Sequence, residues 1–300
     1  MATRRQRRKQ SQDRFGAIGM AVILVIFGGA FYFIAQFSDE PDANKCSTNN
    51  GPNGVTAIVF DKSESYSPEQ ITDIKSSFNS WLSGKEPNIK DRPIDLKFFA
   101  EGVLVQLYVT DNEMVSSQGG LKPKAQLCVP KDFEDANFLY SNPEKLKKDL
   151  QNFVSTFTNE LEKLTLIEEN VSPIMETLVR LSNSEDFQKH PDKQHNLLIV
   201  SDMLQHSDNY SHYRAGEGTD WNNFLNKMGN SIYTRPNLNE VNYQIFYAIR
   251  NNPRDRKLQT TRLTVFWSEF FKQAKSSPSA LNDLSTSNTG KPKGWIPIDG

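Results

Sequence analysis

The chain has 300 residues, with 35 Lys and Arg against 36 Asp and Glu and a formal net charge of −1. Basic residues cluster in an arm over residues 1–14, so the remainder is mildly acidic, which excludes nucleic acid as an expected partner. The length suits one α/β domain with a sizeable core.

An uncharged stretch follows the basic arm. Residues 15–37 are long enough to span a bilayer as a helix. The stretch ends in bulky aromatic residues without a small-residue cleavage site, which favours a membrane anchor over a cleaved signal peptide. The basic arm is expected in the cytoplasm, so the chain after residue 38 should be periplasmic or extracellular. Residues 38–54 predict a short stalk.

The chain contains two cysteines, Cys46 and Cys128, and both lie on the predicted outer side. An oxidising compartment permits a disulfide between them, which would tie the stalk to the body of the domain. Two independent reduced thiols are the alternative.

The most informative stretch is an apolar, β-branched run over 55–60 that ends in Asp61. Ser63 and Ser65 follow the acid at a spacing of two. The run predicts a central strand, and the acid would lie at its carboxyl end, where open α/β sheets place ligand sites. One carboxylate and two hydroxyls suit a hard divalent cation such as Mg²⁺. Alternatively, the acid caps the helix that begins near Pro68.

The remaining elements alternate between helices and strands. Helices are expected over 68–82 and 143–164, after Ser172, near 221–228 and over 258–274. Strands are expected over 96–100 and 104–110 as a hairpin, and over 125–129, 196–201 and 241–249. This order predicts a doubly wound, mostly parallel sheet within a domain over 55–275. A flexible tail over 276–300 follows, in which residues 295–298 are able to dock.

The Asp-x-Ser-x-Ser pattern at Asp61 resembles the von Willebrand factor A family. That family completes a metal site with a Thr before a later helix and an Asp after the fourth strand. The resemblance places Ser172 and Asp202 in these positions. Ser in place of Thr, and Met203 in place of a Gly, depart from the pattern. Without a metal, Ser172 would be a helix N-cap and Asp202 a strand-end acid that caps the next segment.

The resemblance implies a binding protein. Its metal would be Mg²⁺, or Mn²⁺ or Ca²⁺, with one coordination position left for an acidic side chain of a partner protein. The function expected is a single-pass, membrane-anchored module for metal-dependent adhesion or assembly of an envelope complex. A structural subunit with the same fold but no functional metal is the alternative, and a hydrolase is the third. The implied metal ligands are Asp61, Ser63, Ser65, Ser172 and Asp202.

Residues 203–239 are polar and aromatic and directly follow the second acid. They form the candidate partner surface, unless the aromatic residues simply cover a small helix near 221–228. The four histidines lack zinc-site spacing and are expected in exposed loops. Since no serine-hydrolase elbow occurs, neither an enzyme nor a small-molecule substrate is expected. The candidate surface residues are His206, Tyr210, His212, Tyr213 and Trp221.

Overall fold

The computed structural model describes residues 24–29, 41–63, 66–83, 96–111, 121–131, 142–164, 169–234, 236–278 and 295–298. The chain divides into two compact units, residues 1–40 and 41–300. Of the first unit, residues 24–29 are described, and they are helical and exposed. Within the described ranges, no helix combines the length and apolar character needed to cross a membrane. Most of the membrane helix expected over 15–37 falls outside those ranges.

The second unit is built on a mostly parallel sheet. In the described part of the chain the sheet has seven strands, of which six follow the order β3-β2-β1-β4-β5-β6 and the seventh, β7, pairs with β5. Only the β2–β3 pair among them is antiparallel. The fold class expected from the sequence is therefore confirmed. The strands are β1 (Gly54–Asp61), β2 (Val103–Thr110), β3 (Ala125–Cys128), β4 (Gln194–Ser201), β5 (Asn242–Ala248), β6 (Ser277–Pro278) and β7 (Trp295–Ile298).

Helices cover both faces of the sheet. Alternate residues of β1 point to opposite faces: Val59 packs in one core cluster and Phe60 in the other. The largest buried residue of each cluster is a tryptophan, Trp267 in the first and Trp81 in the second. The described helices are α1 (Pro68–Leu82), α2 (Pro143–Leu164), α3 (Ile174–Ser182), α4 (Glu185–Gln188), α5 (Trp221–Met228), α6 (Pro253–Arg256) and α7 (Thr261–Gln273).

The prediction of a hairpin formed by residues 96–100 and 104–110 is wrong. Residues Leu96–Phe99 form a 3₁₀ helix, and β3 is the antiparallel edge strand. The carbonyl of Phe98 accepts a hydrogen bond from the Thr56 hydroxyl at 2.7 Å, so this backbone bonds to a side chain of β1 rather than to a strand. Two adjacent aromatic residues, Phe98 and Phe99, are buried from a single turn. From the sequence alone, a short apolar run does not distinguish a strand from a helical turn.

Residues 41–53, expected to form part of a stalk, pack on the domain instead. The Cys128 N–H donates to the Asn44 carbonyl at 2.8 Å, and the Asn53 N–H donates to the Gly102 carbonyl at 2.8 Å. A disulfide joins Cys46 to Cys128, and both residues are buried. The covalent link and these backbone bonds fix the segment to β3 and to the turn before β2.

Residues 279–294, 299 and 300 of the tail expected to be flexible lie outside the described residues, whereas residues 295–298 dock on the sheet. Residues Trp295–Ile298 form β7, which runs parallel to β5 with Ile245 opposite Trp295. Because β5 is the last long strand of the sheet, its outer edge offers unpaired backbone groups that this segment satisfies.

Candidate functional site

The two acids singled out in the sequence lie at neighbouring strand ends. Asp61 is the last residue of β1, and Asp202 follows β4 directly. The strand β1 pairs with β2 along one edge and with β4 along the other edge. Such a reversal of strand order opens a crevice at the carboxyl ends of the strands. Both acids are deeply buried there, each with 1% exposure.

Four donors surround the carboxylate of Asp61. The Ser63 N–H and the Thr110 hydroxyl donate to Oδ1 at 3.1 and 2.7 Å. The Ser172 and Ser201 hydroxyls donate to Oδ2 at 2.9 and 2.7 Å. Two carboxylate oxygens offer about four lone-pair positions, so the acceptor capacity of this group is filled.

The structure brings Asp61, Ser63 and Ser172 together. Ser172 does not cap α3, since Pro173 stands at the N-cap position without a side-chain cap. Its backbone pairs with that of His206 instead: the Ser172 N–H donates to the His206 carbonyl at 2.7 Å, and the His206 N–H donates to the Ser172 carbonyl at 2.9 Å. This pairing holds the Ser172 hydroxyl toward Asp61. Ser65, the fifth predicted ligand, lies outside the described residues.

Thr110 and Ser201 were missed by the sequence analysis. Thr110 stands opposite Asp61 in the strand register, and Ser201 ends the other neighbouring strand. The signal that could have identified both residues is a hydroxyl side chain at the last position of each strand that pairs with β1. To use this signal one must know which strands lie beside β1, and the sequence does not provide the strand order.

The carboxylate of Asp202 is paired with an arginine. Its Oδ2 accepts a hydrogen bond from Arg250 Nε at 2.7 Å, and its Oδ1 accepts one from the Leu204 N–H at 2.8 Å. The Arg250 residue is 4% exposed, so this is a buried ion pair. Burial raises the pKa of Asp202, the nearby Asp61 carboxylate raises it further, and Arg250 opposes both.

Arg250 is held from several sides. Its guanidinium lies 5.3 Å from the centre of the Tyr66 ring, and its backbone N–H donates to Gln259 Oε1 at 2.7 Å. The Gln259 amide donates in turn to the carbonyls of Ala248 and Asp202 at 2.7 and 3.2 Å. The Tyr66 hydroxyl donates to the Asp61 carbonyl at 2.6 Å. The arginine is therefore part of a network that joins the ends of β1, β4 and β5.

Lys62 closes the site on the side of β2. Its Nζ lies 2.6 Å from Glu169 Oε1 and 3.6 Å from Asp111 Oδ2. The Glu169 N–H also donates to the Lys62 carbonyl at 3.1 Å. This lysine ties the loop after Asp61 to the segment that precedes α3.

Met203 keeps the backbone geometry that glycine normally provides. Its φ is 60°, in the left-handed region, which costs a non-glycine residue about 1–2 kcal/mol. The side chain is fully buried, and the Met203 carbonyl accepts a hydrogen bond from Trp267 Nε1 at 2.7 Å. Burial of the methionine and this hydrogen bond offset the strain.

The residues as arranged do not fit a magnesium ion. Mg²⁺ needs near-octahedral oxygen ligands and usually keeps several waters. Here each oxygen of Asp61 already accepts two hydrogen bonds, and one oxygen of Asp202 is bound by Arg250. Across the described ranges, no cluster of three or more His, Cys, Asp or Glu is placed to hold a metal.

The loop after β4 differs from the expected aromatic surface. Tyr210 and His212 are buried, with rings packed against Phe266 of α7, so neither belongs to a surface. Tyr213 and Trp221 are half-buried against the same core. The ring of Tyr210 also packs on Phe224 of α5, so these aromatic residues cover α7 as well as their own helix.

The expectation of exposed histidines is wrong for His212. Its Nδ1 accepts the Gln205 N–H at 3.1 Å, and burial lowers its pKa to about 3, so the ring is neutral. His206 is half-buried, with Nδ1 2.8 Å from the Ser211 hydroxyl. Burial lowers its pKa as well.

Two buried carboxylates fix this loop. Glu176 of α3 accepts hydrogen bonds from the Gln205 amide at 2.9 Å, the Ser207 hydroxyl at 2.5 Å and the Asn209 amide at 2.8 Å. Glu217 accepts the Ser211 N–H at 2.6 Å and is paired with Arg214 and Lys227. The loop is thereby held as a rigid rim beside the strand-end crevice.

No protein-family model and no curated protein matches this sequence. Among solved structures, it is similar to the pilus adhesin SpaC of Lactobacillus rhamnosus GG in its open conformation. The TM-score is 0.40 and the identity 8%, over 84% of this chain and 28% of the adhesin. An aerotolerance-related membrane protein of Bacteroides fragilis NCTC 9343 gives a TM-score of 0.33 at 12% identity, over 78% of this chain and 94% of that protein.

Proximal thread matrix protein 1 from the mussel byssus gives a TM-score of 0.30 at 13% identity, over 79% of this chain and 44% of that protein. At these scores, the assignment of the fold rests on the strand order and not on the similarity.

Proposed function

We propose that this chain is a membrane-associated, von Willebrand factor A-like module that binds another protein in adhesion or in the assembly of an envelope complex. The observation that carries the proposal is the convergence of Asp61, Ser63 and Ser172 with Asp202 at the crevice between β1 and β4. These are the positions that the Asp-x-Ser-x-Ser resemblance assigns, and the fold has the strand-end crevice in which such modules bind.

The rim of the crevice supports a binding role. Asp208 and Asn209 are exposed in the loop after β4, and Glu176 holds Ser207 and Asn209 by hydrogen bonds. A surface that is already ordered loses little conformational entropy on binding, so its contacts contribute more to affinity. A protein partner is a better match than a small molecule, since the exposed groups lie on a rim and the crevice is filled by side chains.

The arrangement of the strand-end site favours binding of the partner protein without a divalent cation. In the cation-dependent form of the proposal, Mg²⁺ would join Asp61, Asp202 and the serine hydroxyls to an acidic side chain of the partner. The Arg250–Asp202 pair favours the alternative, in which the fold is kept and the metal is not used.

The test is site-specific photo-cross-linking in membranes of the organism that makes the protein. A photoreactive residue replaces Asp208 at the rim, and a matched probe replaces Asp192, which is exposed just before β4 at the opposite end of the sheet. We expect one discrete adduct from position 208, retained after chelation of divalent cations and reproduced with the purified partner identified in it. Adducts from position 192 alone, or the same adducts from both positions, would contradict the proposal.

A further inference from the structure

We infer that Arg250 takes the place of a divalent cation in the strand-end site, so that the wild-type chain binds no Mg²⁺ or Mn²⁺ there. This inference goes beyond the proposed function, because it concerns the charge balance of the site and needs no partner. Its starting point is the buried pair between Arg250 Nε and Asp202 Oδ2, 2.7 Å apart.

Two buried carboxylates next to each other require compensation. Asp61 and Asp202 are each 1% exposed, and the charge of Asp61 raises the pKa of Asp202. A divalent cation would neutralise both acids at once. In this chain the compensation comes from the protein: four hydrogen-bond donors for Asp61, and a guanidinium for Asp202.

An arginine is suited to this task. Its guanidinium stays protonated at any physiological pH and is less strongly hydrated than an ammonium, so it tolerates burial beside a carboxylate. The charge is therefore permanent and independent of the free cation concentration. A divalent ion, in contrast, would leave the site whenever its concentration fell below the dissociation constant.

The position of Arg250 opposes cation binding by Asp202, because a divalent ion there would lie beside the buried positive charge of the guanidinium. One carboxylate oxygen of Asp202 faces Arg250, and the other accepts the Leu204 N–H. For a cation to reach Asp202, the arginine must leave, yet it is 4% exposed and lies against the Tyr66 ring. Its backbone is also fixed by Gln259. The arginine and the ion are thus alternatives for one place.

Vacating the site should consequently create a cation site. In Arg250→Met, the aliphatic stem is kept and the charge is removed, so Asp202 is free to coordinate together with the hydroxyls around Asp61. Arg262→Met is the matched control, because Arg262 is an exposed arginine on α7. Arg250→Met combined with Asp202→Asn removes the new ligand.

The experiment measures Mn²⁺ binding by electron paramagnetic resonance on the full chain in mild detergent. We expect no saturable binding by the wild type or by Arg262→Met, and saturable binding by Arg250→Met that Asp202→Asn abolishes. Saturable binding by the wild type that Asp202→Asn abolishes would overturn the inference, and so would a folded Arg250→Met that binds no Mn²⁺.

If Arg250→Met does not fold alone, its thermal transition is measured with and without Mn²⁺. Restoration of a cooperative transition by Mn²⁺ supports the inference, and a lack of rescue overturns it. All of these measurements use the chain without a partner. Failure of the cross-linking test therefore leaves this result unchanged, and cation binding by the wild type would bear on retention of the adduct after chelation and not on its formation.

Discussion

Replacing Arg250 by methionine should destabilise the domain strongly, because it leaves the buried Asp202 carboxylate without its counter-charge. Removing one partner of a buried ion pair typically costs about 3–5 kcal/mol. Asp202 keeps one donor, the Leu204 N–H, and methionine retains most of the apolar contact of the arginine stem, so we expect about 3 kcal/mol. For a domain of this size that corresponds to a fall in Tm of about 6–12 °C.

A double-mutant cycle isolates the pair. Asp202→Asn removes the charge but keeps an oxygen that accepts the Leu204 N–H. Combined with Arg250→Met, it should recover most of the lost stability, giving a coupling energy of about 2–3 kcal/mol. Urea unfolding followed by tryptophan fluorescence measures each variant, since Trp81 and Trp267 are buried.

The pH dependence provides a second check on the same pair. Burial raises the pKa of Asp202 in the native protein, and loss of Arg250 removes the main opposing charge, so the pKa should rise further. A group whose pKa is higher in the folded state favours folding at low pH and loses that contribution as the pH rises through the folded pKa. The cost of Arg250→Met should therefore be largest at neutral pH and shrink on acidification. Equal losses in the single and double variants, or a single-variant loss within about 0.5 kcal/mol of Arg262→Met, would refute this reasoning.

Three further changes test other parts of the structure. Cys46→Ala opens a disulfide whose cysteines are 82 residues apart, and loop-closure entropy predicts a loss of about 4.5 kcal/mol, measured by urea unfolding against the oxidised wild type. Met203→Gly relieves about 1 kcal/mol of left-handed strain but removes a fully buried side chain worth more, so a net loss of about 1–3 kcal/mol is expected in thermal unfolding. His212, whose pKa is lowered to about 3, should make stability fall as the pH drops below 6.5, since the unfolded state takes up the proton first; His212→Gln should flatten that profile between pH 7 and 4.

Each of these has a contrary result. Equal stability of Cys46→Ala and the oxidised wild type would show that the disulfide does not constrain the chain. A gain in stability for Met203→Gly would mean that backbone strain outweighs burial at this position. An unchanged pH profile for His212→Gln would mean that the His212 ring is not held in its neutral form.

The sequence predicted the elements whose signal is local. The apolar runs, the helix beginning at Pro68 and the long stripe of α2 were found with bounds close to those observed. The strand-end acids Asp61 and Asp202 were found for the same reason, since each directly follows an apolar run. Residues 295–298 were predicted only as a segment able to dock and not as a strand, because β7 forms through its pairing with the distant β5.

The residues of the candidate site also divide into those with a local sequence signal and those brought in by distant elements. The family pattern proposed Ser172 as a metal ligand, and in the structure its hydroxyl donates to Asp61 and does not cap the helix start. Arg250, which decides the charge of the site, lies 48 residues from Asp202 in the chain and meets it only because β5 pairs with β4. A pattern of ligands cannot reveal a counter-charge that arrives from another strand.

The most direct test of a site held by an internal arginine is a crystal structure of the wild-type chain grown with MnCl₂, with anomalous data collected for manganese. We expect Arg250 Nε at hydrogen-bond distance from Asp202 and no anomalous peak between Asp61 and Asp202. A manganese peak there, coordinated by the serine hydroxyls with the arginine displaced, would contradict the account and restore the cation-dependent form of binding.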